Sequence, residues 1–125
     1  MTTRQVIVLD DDITIGRAIG RLLKAYGFDP VIFENVEDFR DRANLDEAAC
    51  LVLDINLKGE SGIELSYEIA RAGHSLPVVF ITGADSEGVR SAALKAGCIA
   101  YLTKPFASAL LVEAIEKSVE RGRGQ

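Results

Sequence analysis

Tryptophan is absent from the 125 residues, histidine occurs once and cysteine twice. The two cysteines, Cys50 and Cys98, lack metal-ligand spacing and cannot build a disulfide framework. They read as small apolar residues beside buried strands, and reduced thiols suit a cytoplasmic protein. The single histidine, His74, lies in a polar Gly-His-Ser stretch and reads as a surface loop residue. A phosphohistidine role there is not expected. Long apolar runs are missing too: none approaches the roughly 18 residues of a membrane span. Met1-Thr2-Thr3-Arg4-Gln5 leads directly into a strand-like run, with no signal-peptide pattern. Positive charge is in deficit, with 14 Lys and Arg against 19 Asp and Glu, for a net charge of −5. A general nucleic-acid binder needs a basic face, so that class is excluded.

What is present fits one ordinary globular domain over residues 1–125, with 48% apolar and 26% charged residues. Five short apolar runs punctuate it: Val6–Leu9, Val31–Phe33, Cys50–Leu53, Val78–Ile81 and Ile99–Leu102. Each is too short for a helix and suits a strand buried on both faces. Helical spacing fills the intervals. Ile15, Ile19, Leu22, Leu23 and Tyr26 mark the first helix, closed by Gly27. Asn35 with Asp38 resembles a capping box before Val36, Phe39 and Ala43. Leu65, Ile69 and Ala72 mark the third, with Gly73 after it. Val89, Ala93 and Ala96 mark a fourth with a weak, alanine-rich face. Leu111, Ile115 and Val119 mark a fifth that starts near Ser108. Five β-α units predict an α/β fold: a five-stranded parallel sheet with helices on both faces, in the flavodoxin-like order 2-1-3-4-5. Residues 120–125 read as a polar tail or the stump of a linker.

Ligands of such sheets bind at the carboxyl ends of the strands. Here the first strand runs into Asp10, Asp11 and Asp12, the third into Asp54, the fourth into Thr82, and the fifth into Thr103, Lys104 and Pro105. Asp12 reads as a helix cap, because a carboxylate is favoured at a helix N-terminus. Crowded carboxylates repel one another unless a hard cation neutralises them, and Mg²⁺ suits one or two carboxylates plus phosphate and water. A cation, a lysine, a hydroxyl and a free carboxylate together suit phosphoryl transfer, with Asp54 as the nucleophile that forms an acyl phosphate.

From about Gln5 to Ser118 the chain resembles the receiver domains of bacterial two-component response regulators. The resemblance rests on Asp10-Asp11 after Val-Ile-Val-Leu, Asp54 in Leu-Val-Leu-Asp-Ile-Asn-Leu, Thr82-Gly83 after Val-Val-Phe-Ile, and Lys104-Pro105-Phe106 after Ala-Tyr-Leu-Thr. It implies a phospho-acceptor switch that is not a conventional enzyme. Asp54 would take phosphate from a histidine kinase or a histidine phosphotransfer protein. Asp10, Asp11, Asp54 and the backbone carbonyl of Asn56 would hold Mg²⁺, for which Mn²⁺ can substitute. Thr82 and Lys104 would contact the phosphoryl group, and Tyr101 would be the aromatic switch residue. The resemblance also implies a cis peptide before Pro105, the bond type in which cis costs least. The output would be a partner or a homodimer meeting the surface of helix 4, strand 5 and helix 5, with no nucleic acid or membrane bound by this domain. No output domain follows Gln125 in the sequence, so a stand-alone receiver and a piece of a longer regulator both fit.

One departure stands out. Many receivers carry Met-Pro after the phospho-acceptor segment, whereas this chain reads Leu57-Lys58, so a looser loop is expected. Two rival readings are weaker. A phosphatase of the haloacid-dehalogenase type would need a second acid in the Asp54-Ile55-Asn56 triplet, and an amide cannot act as a general acid there. A degenerate receiver would have lost an acidic residue or the lysine, and neither is lost.

Overall fold

Why the apolar runs become strands is visible in how their side chains divide. The computed structural model describes residues 4–123. The main sheet consists of β1 (Gln5–Leu9), β2 (Asp29–Phe33), β3 (Cys50–Asp54), β4 (Val78–Thr82) and β5 (Ala100–Thr103). All neighbours are parallel, in the order β2-β1-β3-β4-β5. Successive side chains alternate between the faces. Ile7, Leu9, Leu51, Leu53 and Phe80 face one side. Val6, Val8, Cys50, Val52, Val79 and Ile81 face the other.

Five α-helices cover these faces: α1 (Ile13–Ala25), α2 (Val36–Arg42), α3 (Gly62–Arg71), α4 (Glu87–Lys95) and α5 (Ser108–Arg123). Helices α2, α3 and α4 bring Phe39, Leu65, Ile69 and Ala93 to the first face. Helices α1 and α5 bring Ile19, Leu23, Leu111, Ile115 and Val119 to the second. Burying a Leu, Ile or Phe side chain is worth about 1.5–3 kcal/mol. α4 contributes only Ala93 as a fully buried residue, so it is the most weakly anchored of the five, as its composition implies. The caps are local: Asp12 accepts from Thr14 and Ile15 N–H, Asn35 from Asp38 N–H, Ser61 from Ile63 N–H and Ser86 from Val89 N–H.

The boundaries differ from the sequence reading in places. β2 begins at Asp29, two residues earlier than its apolar run, because Asp29 and Pro30 pair with Gln5 and Val6 at the sheet edge, where a missing proline N–H is tolerated. α1 begins at Ile13. A short 3₁₀ turn, Leu45–Glu47, precedes β3. α5 continues to Arg123, through the start of the segment read as a tail; Gly124 and Gln125 lie outside the described residues. Among the described residues no helix is long and apolar enough to cross a membrane.

The segment after β3 is the main revision. It is not the loose loop that the missing proline suggests but an antiparallel hairpin, Asn56–Leu57 against Glu60–Ser61. Its turn is Lys58-Gly59, and Gly59 has φ +76°, as a type II turn requires of its third residue. Arg40 of α2 clamps it by bonding both Glu60 and Glu68 of α3. Gly62 then closes the hairpin onto β3. Its N–H donates to Ile55 O at 2.9 Å, and a Cβ there would lie 2.2 Å from the Asp54 carbonyl oxygen.

Candidate functional site

The carboxyl ends of β1, β3, β4 and β5 deliver a cluster of charged and polar groups to one edge of the sheet. Asp10 is fully buried, Asp54 is 3% exposed and Thr82 is fully buried. Asp10 Oδ1 accepts from Asp12 N–H at 2.9 Å. Asp10 Oδ2 is buried and holds no hydrogen bond, but the Lys104 ammonium stands 3.0 Å from it. Lys104 also stands 3.5 Å from Asp54 Oδ2, while Asp54 Oδ1 accepts from Asn56 N–H at 3.1 Å. Lys104 is held from β4 as well, because its own N–H donates to Thr82 O at 2.8 Å. The Lys104–Pro105 bond is cis.

Two pKa shifts follow from this crowding. Burial, and then the Asp10 charge, push the Asp54 carboxyl up to about 6; Lys104 and the Asn56 N–H act against them. For Lys104, burial disfavours the ammonium, but the Asp10 and Asp54 carboxylates outweigh it and the pKa rises. At neutral pH the site therefore sets an ammonium beside a mostly ionised Asp54.

One oxygen each from Asp10, Asp11 and Asp54 lies within 4.8 Å of the others. The donors are all hard oxygens, and the buried Asp10 carboxylate has only the Lys104 ammonium and one backbone N–H to balance it. A hard divalent cation fits that set and would relieve the repulsion. Asp11 is oriented by the hairpin, since its Oδ2 accepts from Lys58 N–H at 3.1 Å.

A family model for the response regulator receiver domain matches residues 6–116. The chain belongs to the response regulator receiver family. A receiver protein from Burkholderia phymatum is 37% identical, with a TM-score of 0.81 over 94% of this chain and 96% of that one. Nodulation protein W of Bradyrhizobium diazoefficiens is 34% identical over 94% of this chain and 52% of its own length. Transcriptional regulatory protein FixJ of the same organism is 29% identical over 97% of this chain and 60% of its own. This receiver thus spans about half the length of the curated relatives it matches. A CheY-like receiver from Methanospirillum hungatei, 22% identical, shares the fold with a TM-score of 0.86 over 98% of each chain.

Of the residues singled out from sequence, Asp10, Asp11, Asp54 and Lys104 meet in the receiver's site. Thr82 joins them through Asn56, whose Oδ1 accepts the Thr82 hydroxyl at 2.7 Å. The sequence reading gave Asn56 only a backbone role. Tyr101 lies farther out, where its hydroxyl donates to Asp85 Oδ1 at 2.7 Å. Arg90 of α4 pairs with the other Asp85 oxygen at 2.7 Å and lies over the Tyr101 ring, 5.6 Å from its centroid. Asp85 and Arg90 were missed because their contacts to Tyr101 run across α4 and the loop that follows it. Gly62 was missed although a signal existed, a glycine at the first position of a helix where propensity gives no reason for one. His74 stays on the surface side, 3.4 Å from Asp46.

Proposed function

We propose that this receiver is a phospho-acceptor switch in which Asp54 takes a phosphoryl group from a histidine kinase or a histidine phosphotransfer protein. The observation that carries the reading is Asp54 itself: a carboxylate buried at the end of the central strand, beside a lysine ammonium that also contacts a second buried carboxylate. An Asp54 oxygen attacks phosphorus as the P–N bond to the donor imidazole breaks, and the imidazole leaves. Lys104 balances charge on the phosphoryl oxygens. The Thr82 hydroxyl, released from Asn56, donates to one of them. Asp10, Asp11, Asp54 and the Asn56 carbonyl would hold Mg²⁺, or Mn²⁺ in its place. When bound, the ion neutralises charge on the transferred oxygens.

An apolar groove of about 410 Å³, lined by Ile15, Ala18, Ile19, Leu22, Pro105 and Phe106, opens beside Lys104. It gives a phosphodonor protein an apolar footing next to the site. The readout is the surface of α4, β5 and α5. The phosphoryl group adds about −1.5 to −2 charge and three acceptors. As Thr82 turns toward it, Tyr101 leaves Asp85 and rotates inward, and the altered face meets an output partner or a second copy. The equilibrium between the two arrangements pre-exists and is shifted by phosphate. No contact of this domain with nucleic acid or membrane is involved, and the setting is cytoplasmic.

Incubation with Mg²⁺ and a small acyl phosphate tests the reading by intact mass. One added phosphoryl group, labile in alkali, dependent on Mg²⁺ and lost in Asp54→Asn, is the expected result. An unmodified wild-type protein contradicts it.

A further inference from the structure

The turn of the hairpin touches the site through a group that a proline could not supply. Lys58 N–H donates to Asp11 Oδ2 at 3.1 Å, across 47 residues of chain. Proline has no N–H, so this bond exists because residue 58 departs from the Met-Pro pattern noted above. We propose that the Lys58 backbone N–H is a positioning group that pre-orients the Asp11 carboxylate toward the divalent cation. The inference rests on the reading of Asp10, Asp11 and Asp54 as a cation site.

Four features fix where this N–H points. The arms of the hairpin are in register, Asn56 with Ser61 and Leu57 with Glu60. Leu57, on the first arm, is buried in the hydrophobic core. Arg40 ties Glu60 to α2 and α3, and Gly62 N–H ties the far end to Ile55 O. Asp11, by contrast, is only partly buried, and a side chain so placed samples several rotamers unless something holds it. One hydrogen bond to Oδ2 leaves most of the carboxylate's lone-pair directions open. The cation then meets a ligand already turned toward Asp10 and Asp54. Outer-sphere hydrogen bonds of this kind are typically worth about 10–100-fold in metal affinity.

The turn permits a clean test. Lys58 is the second residue of a turn whose third, Gly59, has φ +76°, and type II turns accept proline at the second position. Lys58→Pro therefore removes one N–H while keeping the turn, and Lys58→Ala removes the side chain while keeping the N–H. Mg²⁺ would be titrated into each metal-free protein by calorimetry, alongside the Mg²⁺-free denaturation midpoint. Lys58→Ala should bind Mg²⁺ like wild type, and Lys58→Pro about tenfold more weakly with its metal-free stability retained. An amide-to-ester replacement at residue 58, which removes the N–H without the ring, should match Lys58→Pro and serves if the proline perturbs folding. Equal Mg²⁺ affinity in Lys58→Ala and in the variants lacking the N–H overturns the positioning role. Asp11→Ala separates the two levels. Weaker Mg²⁺ binding in Asp11→Ala with no effect at residue 58 defeats this inference alone. Unchanged binding in Asp11→Ala defeats the cation reading and this inference with it.

Discussion

Replacing Asp54 by asparagine should make the metal-free protein more stable at neutral pH. Asparagine keeps the shape and removes a charge that the fold holds at a cost. The Asp54 carboxyl rises from 3.8 to about 6, first through burial and then through the Asp10 charge. A tenfold change in proton affinity is worth about 1.4 kcal/mol, so the full penalty is about 3 kcal/mol, and solvent at the edge of the site leaves about 1–3 kcal/mol of it. Because the folded-state pKa is the higher one, the folded protein binds more protons than the unfolded chain between pH 4 and 6. The stability supplied by protonated Asp54 is thus complete below about 3.8 and is lost as pH rises through about 6. Urea denaturation of both proteins in chelator compares them directly, because titrations away from the site are common to the pair. Asp54→Asn should lead by about 1–3 kcal/mol at pH 7.5 and by about half as much at pH 5. Mg²⁺ should narrow the gap at pH 7.5 by stabilising wild type more than the variant. Equal stabilities at pH 7.5, or a lead that grows toward acid, would refute the reasoning.

Two other perturbations probe the switch and its frame. Asp85→Ala removes the acceptor that holds the Tyr101 hydroxyl outward and leaves Arg90 without its carboxylate. Its inward population should rise about fivefold, taking about 1 kcal/mol for the bond, as read by fluorotyrosine NMR. The Tyr101 phenol, raised by burial and then by Asp85, should titrate lower in the same variant. An unchanged spectrum counts against a latch. Gly62→Ala forces a Cβ to 2.2 Å from the Asp54 carbonyl oxygen, and should lose about 1–3 kcal/mol and slow acyl-phosphate labelling. Wild-type stability in that variant would show that the close approach is easily relieved.

Much of this was legible in the sequence, for physical reasons. Val6–Leu9 and Cys50–Leu53 are continuous apolar runs because both faces of a parallel sheet are covered, and Asp10 and Asp54 end them because the fold gathers ligands at that edge. Asp12 and Asn35 announced their helices through capping chemistry. The hairpin stayed hidden because its arms are two residues each, too short for periodicity; its one signal was the Lys58-Gly59 dipeptide. The Thr82 bond to Asn56, the Arg40 clamp and the Asp85–Tyr101 latch join side chains far apart in sequence, so no local pattern could reveal them. The raised pKa of Asp54 comes from burial and from the Asp10 charge together, and so needs the packed structure.

The claim on which all else depends is that Asp54 carries the phosphoryl group. Acyl phosphates are reduced by borohydride to the alcohol, so treating the phosphorylated protein with borohydride and sequencing its peptides by mass spectrometry marks the modified residue. The account predicts homoserine at position 54 alone, formed only after incubation with Mg²⁺ and phosphodonor. Homoserine at Asp10 or Asp11, or phosphate found on His74 or a hydroxyl residue with position 54 unaltered, would contradict it.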